Sequence, residues 1–314
     1  MTTALTFPGQ GSQFPGMGRS LADTYPAARA VFEEVDDALG EPLSQLMFEG
    51  PEETLRLTAN AQPALMAVSL AAMRALEAEG VKVREAALVA GHSLGEYSAL
   101  AAAGSLGVAD AARLLRRRGE AMQSAVPSGE GAMAALLGLD IDAAEAVARD
   151  AAGDGVCEVA NDNAPGQCVV SGDRDAVERA VALAKERGAR RPMLLPVSAP
   201  FHCSLMRPAA RVMEEALAAT ALRSPTTPLL ANVSVRRLTD PDEIRDSLVG
   251  QVTGRVRWRE GVQRFAGLGV TTVVEVGAGK VLTGLAKRIN RSLRTFAVGE
   301  ADDVAAFVGA WAEA

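Results

Sequence analysis

Short apolar runs alternate with longer helical stripes along almost the whole chain, a pattern that predicts an α/β protein with parallel strand pairing rather than an all-α or all-β one. Residues 63–79, PALMAVSLAAMRALEAE, read as a buried helix that ends at Gly80. The apolar run Ala86–Ala90 then leads into Gly91-His92-Ser93-Leu94-Gly95, and a helix of small residues follows. The local order is strand, turn, helix.

The periodicity changes over residues 131–197. GAMAALLGL reads as a strand, IDAAEAVARDAA as a helix, CEVAN and QCVVSG as two strands around a Pro-Gly turn, RDAVERAVALAKERG as a helix and RRPMLLPV as a strand. The string βαββαβ is the signature of a ferredoxin-like unit, with Pro127-Ser128-Gly129 as a hinge before it. Helix-strand alternation then resumes and ends in TTVVEVGAG and a terminal helix around Val304 to Trp311. The expected architecture is an α/β-hydrolase-like body with a parallel sheet, formed by residues 1–127 and 198–314, carrying an inserted ferredoxin-like domain over 128–197.

Composition narrows the possibilities. The 314 residues are 48% hydrophobic and 23% charged, enough for a sizeable core and too little charge for a disordered chain. A net charge of -7 argues against a nucleic-acid binder with a basic face. Three cysteines, Cys157, Cys168 and Cys203, have no metal-ligand spacing, and with two histidines in the chain no metal site is expected. The N-terminal residues lack the basic and apolar regions of a signal peptide, and no apolar stretch approaches the roughly 20 residues that span a bilayer. A reducing, cytoplasmic location with no membrane contact is the expectation.

Gly91-His92-Ser93-Leu94-Gly95 matches the G-x-S-x-G nucleophile elbow, in which glycines flank a serine on a tight strand-to-helix turn. There Ser93 projects its hydroxyl at a helix N-terminus, and the Leu94 N–H can point at a developing oxyanion. A serine hydroxyl needs a base, and only His92 and His202 are available. Side chains adjacent on a sharp turn point apart, which disfavours His92 and leaves His202, in Pro196-Val197-Ser198-Ala199-Pro200-Phe201-His202-Cys203. An ordinary lipase or esterase places its histidine late, after the acid, whereas 112 residues without a histidine follow His202. No carboxylate near His202 nominates itself as a third member, so a backbone carbonyl is the alternative orienting group. In Arg113-Leu114-Leu115-Arg116-Arg117-Arg118-Gly119 the expectation for Arg113, Arg116 and Arg117 is a solvated basic face. A buried guanidinium beside the serine would instead pair with a substrate carboxylate, and the sequence leaves open which arginine turns inward. Gly277-Ala278-Gly279-Lys280 lacks the residues of a P-loop, and Gly129-Glu130-Gly131 precedes a strand instead of following one, so nucleotide chemistry is not indicated.

Five segments together, Phe7-Pro8-Gly9-Gln10-Gly11-Ser12-Gln13, GHSLGEYSAL from Gly91, RGEAMQ from Arg118, SAPFHCSLM from Ser198 and VEVGAGKVL from Val274, resemble the malonyl-CoA:acyl carrier protein transacylases of bacterial fatty acid synthesis. The family is similar to the acyltransferase domains of polyketide synthases. The resemblance runs over essentially the whole chain. It implies ping-pong transfer of a malonyl group from malonyl-CoA, through an ester on Ser93 activated by His202, to the phosphopantetheine thiol of acyl carrier protein. No permanently bound cofactor is implied. Matched position by position, Gln10 and Leu94 supply the backbone N–H groups of the oxyanion hole, Arg118 binds the malonyl carboxylate, and Gln251 offers the backbone carbonyl that orients His202. Phe201 resembles the residue before the histidine in malonyl-selective members. Because carrier proteins are acidic, Lys287, Arg288, Arg291 and Arg294, with Lys185, Arg187, Arg190 and Arg191, are candidates for docking them. The competing readings are a trans-acting acyltransferase of a polyketide synthase, a serine hydrolase of acyl thioesters, and a non-catalytic carrier-binding scaffold.

Overall fold

The computed structural model describes residues 2–312; Met1, Glu313 and Ala314, at the ends of the expected outer segments, lie outside the described residues. Strand β1 (Thr3–Phe7) is followed by helices α1 (Arg19–Thr24), α2 (Pro26–Leu39), α3 (Leu43–Glu49), α4 (Glu52–Arg56) and α5 (Thr58–Ala78), then by β2 (Leu88–Gly91), α6 (Gly95–Ala102) and α7 (Val108–Ser124). The next elements are β3 (Gly131–Leu137), α8 (Ile141–Ala152), β4 (Cys157–Ala164), β5 (Gln167–Asp173), α9 (Arg174–Glu186) and β6 (Arg191–Leu194). The chain closes with α10 (Arg207–Ala218), β7 (Leu229–Leu230), β8 (Arg237–Leu238), α11 (Pro241–Thr253), α12 (Trp258–Gly267), β9 (Thr272–Val276), α13 (Val281–Ile289), β10 (Arg294–Val298) and α14 (Ala301–Ala312).

Two sheets result. The larger has the order β10-β9-β1-β2-β7-β8 and is parallel except for β8, which pairs antiparallel with β7. The smaller is antiparallel, with the order β4-β5-β3-β6. That order is the ferredoxin-like arrangement expected from the string βαββαβ. Its helices α8 and α9 bury alternating alanines and valines over the sheet in a core of their own, from Ala132 to Ala189. Among the described residues no helix is long and apolar enough to cross a membrane.

Among the contacts that fasten the small domain to the body are three that involve residues 255–259. Asn161 bridges in parallel to Val256, with backbone bonds on both sides of it. Arg259 donates two bonds from Nε and one from Nη2 to the carboxylate of Asp162, which is 1% exposed. Arg255 pairs with Glu145.

Several elements differ from the sequence expectation in extent. The buried helix begins at Thr58 instead of residue 63 and carries Pro63 inside it. A proline there removes only one intrahelical donor, and tertiary burial of nearly every residue from Ala61 to Ala72 outweighs that loss. The strand expected over RRPMLLPV stops at Leu194, and Leu195, Pro196 and Val197 turn off to line a cavity.

Helices α5 and α7 pack against each other at a glycine. A Cβ on Gly119 would sit 2.6 Å from Ala59 Cα and 2.7 Å from Thr58 O, both backbone atoms that cannot yield cheaply. Gly119→Ala is therefore expected to destabilise the protein by about 1–3 kcal/mol through forced separation of the two helices. Gly284→Ala in α13, where nothing lies within 4 Å of the added carbon, is expected to be neutral or stabilising by up to about 1 kcal/mol. Thermal or urea unfolding of the two variants checks both signs.

Candidate active site

Strands β1 and β2 are parallel neighbours with Phe7 opposite Gly91, so the loops leaving their C-terminal ends start level with each other. The loop after β2 turns where only glycine fits. A Cβ on Gly91 would lie 1.9 Å from the Gly95 carbonyl carbon, and one on Gly95 would lie 2.3 Å from Phe7 O. Between these glycines Ser93 adopts φ 53°, a left-handed conformation unusual for serine and characteristic of a nucleophile elbow. Asn232, just past β7, clamps the turn. Its Oδ1 accepts from Ser93 N–H at 2.8 Å, and its Nδ2 donates to Gly91 O at 2.7 Å.

His202 stands on a separate loop, after the small domain, also with positive φ (58°). Its Nε2 is 2.7 Å from Ser93 Oγ. Its Nδ1 lies 2.9 Å from Gln251 O and 3.1 Å from Gly254 O, at the C-terminal end of α11. Two carbonyl acceptors require a proton on Nδ1, which leaves Nε2 as the acceptor facing the serine. Burial, and then the positive charge of Arg118, push the imidazole down to about 3. At neutral pH it is therefore the uncharged base that the arrangement needs. His92 faces elsewhere, with Nε2 2.8 Å from Asn163 Oδ1, in keeping with the expectation from the tight turn.

Of the arginines on α7, Arg118 turns inward and is 1% exposed. It donates from Nη2 to Ser93 Oγ at 3.1 Å and to Gln251 Oε1 at 2.8 Å, and from Nη1 to Gln62 Oε1 at 2.7 Å. Its Nε is buried without a partner, and it has no ion pair among the described residues. Arg113 and Arg117 lie on the exposed face with acidic neighbours, as expected. Arg116 corrects the sequence reading: its side chain is only 16% exposed and is engaged by Glu41 and Asn60.

The remaining expected residues surround the same space. A cavity of about 400 Å³ is lined by Gln10, Ser93, Leu94, Arg118, Phe201 and His202, with Met133, Val169, Leu195 and Val197 contributed from the small-domain side. The backbone N–H groups of Gln10 and Leu94 have no hydrogen-bond acceptor among the described residues. Gln251 meets the site through its side chain as well as its carbonyl. Residues the sequence reading missed complete the surroundings: Thr58, Gln62, Glu96 and Asn232. Thr58 donates to Gln10 Oε1 and accepts from Gln62 Nε2, linking the Gln10 loop to Arg118. Lys287, Arg288, Arg291 and Arg294 are exposed, as are Lys185, Arg187, Arg190 and Arg191. Arg187 is held by Asp150, and Arg288 reaches Gln167 on the small domain at 2.9 Å.

A serine held in strain beside a neutral, carbonyl-oriented imidazole, with two free N–H groups and a buried cation, is equipped to form an ester and to hold an acid at the far end of the acyl group. Comparison with known proteins agrees. Residues 5–312 match the family described as acyl transferase domain. A malonyl CoA-acyl carrier protein transacylase of Bacillus subtilis is 46% identical over 302 residues, covering 96% of this chain and 94% of the relative. The crystal structure of an acyl-carrier-protein-S-malonyltransferase from Bartonella henselae superposes with a TM-score of 0.97 at 55% identity, covering 99% of this chain and all of that one. A malonyl-transacylase in complex with its type II PKS acyl-carrier protein has a TM-score of 0.96 at 41% identity, covering 99% of this chain and 100% of the other. With the match running from β1 to the end of α14, the chain belongs to the acyl transferase domain family.

Proposed function

We propose that this protein transfers a malonyl group from malonyl-CoA to the phosphopantetheine thiol of acyl carrier protein, through a malonyl ester of Ser93. The observation that carries this reading is Arg118: a buried guanidinium without a carboxylate partner, within hydrogen-bond distance of the serine oxygen. An acyl group bearing a second acid supplies the missing anion.

In the first half-reaction Ser93 Oγ attacks the thioester carbonyl as its proton passes to His202 Nε2. The oxyanion is received by the N–H groups of Gln10 and Leu94, close to the N-terminus of α6. Collapse breaks the C–S bond, and the imidazolium returns the proton to the departing thiolate. An imidazole with so low a pKa gives up its proton readily. In the second half-reaction His202 takes the proton of the carrier thiol as its sulfur attacks the ester; the C–O bond to Ser93 breaks, and the imidazolium returns the proton to Ser93 Oγ. The Gln251 and Gly254 carbonyls hold the ring in place and stabilise it when it is charged. Phe201, in the cavity wall, disfavours a branched acyl chain. Carrier docking falls to the exposed Lys287, Arg288, Arg291 and Arg294, in and just after α13, and to the basic residues of the small domain, opposite in sign to an acidic partner. The expected boundaries at 127/128 and 197/198 are part of the same proposal, with the small domain closing one side of the cavity.

Mass spectrometry after incubation with malonyl-CoA is expected to find a malonyl adduct on the Ser93 peptide, released by holo carrier protein as malonyl carrier. Rapid hydrolysis without transfer would instead support a thioester hydrolase. Ser93→Ala is expected to lower kcat by roughly 10³-fold or more while carrier binding persists. Arg118→Ala should depress malonyl transfer far more than acetyl transfer, and equal losses would refute its assignment to the carboxylate. Because the Arg118 charge is one cause of the low His202 pKa, the same variant is expected to titrate His202 at higher pH. NMR of the two imidazoles in the chain reads that shift directly, and an unmoved pKa counts against the coupling.

A further inference from the structure

Behind Arg118 lies a buried carboxylate that the proposed chemistry does not use. Glu96 opens α6 with its side chain wholly buried. One oxygen, Oε1, accepts from the Asn232 backbone N–H at 2.6 Å. The other, Oε2, accepts from Gln251 Nε2, which also donates to Ser93 O at 2.9 Å. The opposite side of the same amide, Gln251 Oε1, receives Arg118 Nη2. Gln251 thus stands with its two donors on two acceptors and its acceptor on a cation. Only one orientation of the amide satisfies all three partners.

We infer that Glu96 is a positioning residue whose ionised carboxylate sets the orientation of the Gln251 amide and, through it, holds the Arg118 guanidinium where a dicarboxylic acyl group is recognised. The inference rests on the transacylase reading and adds a proton-dependent control on its acyl selectivity.

The consequence follows from hydrogen-bond arithmetic. The Asn232 N–H is backbone and cannot turn away, so a proton added to Glu96 must sit on Oε2, facing Gln251. Gln251 then has to rotate and offer its oxygen, which turns its NH₂ toward Arg118. Donor faces donor, and Arg118 loses its hold. Burial raises the Glu96 carboxyl to about 7, against the opposing influence of its bonds from Asn232 and Gln251 and of the Arg118 charge. The groups around it keep their charge over the same range. Arg118 on α7 stays cationic, Tyr97 on α6 is raised to about 12, and His202 is lowered to about 3 and remains neutral; burial lowers His92 as well. Gln251 on α11 and Asn232 after β7 do not titrate.

The test is the ratio of malonyl to acetyl kcat/KM, measured from pH 5.5 to 8.5. Ionisation of His202, of the thiol and of the shared CoA phosphates cancels in that ratio, and the malonyl carboxylate stays ionised throughout. The ratio is expected to be level above about pH 7 and to fall by up to about tenfold per unit below it, the limit for one proton. In Glu96→Gln the amide oxygen must serve Asn232, so its NH₂ meets Gln251 at every pH. The ratio should then be low and flat, with malonyl kcat/KM reduced by about 10- to 100-fold, as for loss of a hydrogen bond to a charged group. Acetyl transfer is expected to fall much less than malonyl transfer, because the Gln251 and Gly254 carbonyls that orient His202 are backbone and only the bond from Gln251 Nε2 to Ser93 O is withdrawn; its retention also shows that the variant folds. A flat ratio in the unaltered protein, the same slope in Glu96→Gln, or equal loss of both activities overturns the inference. An unaltered protein that forms no malonyl-serine adduct refutes the transacylase reading instead, and the two failures are distinguishable.

Discussion

Burying the guanidinium of Arg118 is the constraint around which the rest of the site is arranged. An ionised group taken out of water costs several kcal/mol unless dipoles or an opposite charge replace its hydration. Here the replacement comes from the Gln62 and Gln251 amide oxygens, the Ser93 hydroxyl and the face of Tyr97, whose centroid is 5.8 Å away. A nearby carboxylate, Glu96, is linked to Arg118 through the Gln251 amide and not by a direct hydrogen bond. The compensation is incomplete, and the residual positive potential adds to burial in depressing the pKa of His202. An acyl carboxylate seated on Arg118 would cancel that potential, so the imidazole would become a stronger base when a matching substrate is present.

The scaffold brings these groups together by parallel register. Two adjacent strands end level, each followed by a glycine-rich turn, and the unpartnered N–H groups of Gln10 and Leu94 occupy equivalent positions three residues beyond Phe7 and Gly91. Of the three non-glycine residues with positive φ among the described residues, Ser93, His202 and Val235, the first two stand in the site, and each of these is held by bonds from distant segments. Asn232 fixes the first, and the carbonyls of Gln251 and Gly254 fix the second. Such conformations persist only where the surroundings over-determine them.

What the sequence made legible follows from the range of the interactions involved. The elbow is local, and its glycines, strand and helix are contiguous, so Ser93 could be read directly. The ferredoxin-like string was equally plain, since its core is self-contained between Ala132 and Ala189. His202 emerged by scarcity, Leu94 from the elbow itself, and Gln10 and Gln251 by family resemblance. The arginines of α7 were ambiguous because amphipathic spacing does not distinguish a buried cation from a solvated one. Gly119 held the missing signal: a glycine inside a helix marks a close approach, and the residue beside it on that contact is drawn inward. Glu96, Asn232 and Gln62 were invisible because their partners lie 56 to 155 residues away. Strand β1 was passed over because Thr3 and Thr6, both wholly buried, interrupt its apolar pattern; Thr6 satisfies its hydroxyl on Val274 O across the sheet.

Whether an ester on Ser93 ends as transfer or as hydrolysis depends on how the cavity is walled, and two bodies share that task. Ser93, His202 and Arg118 belong to the body built around the large sheet, while Met133, Asn161 and Val169 face them from the small one. If the small domain drifted, water would enter around the acyl group and the ester would be lost. The ties at the seam oppose that drift. The Arg259–Asp162 pair is bidentate and nearly buried at its acidic end, and the Asn161–Val256 bridge continues the backbone bonding from one body to the other. The seam lies beside His202, since Gly254 O, within hydrogen-bond distance of its Nδ1, is two residues from Val256. Placement of the base and closure of the wall are thus set by the same short stretch of chain, which couples the reactivity of Ser93 to its protection from solvent.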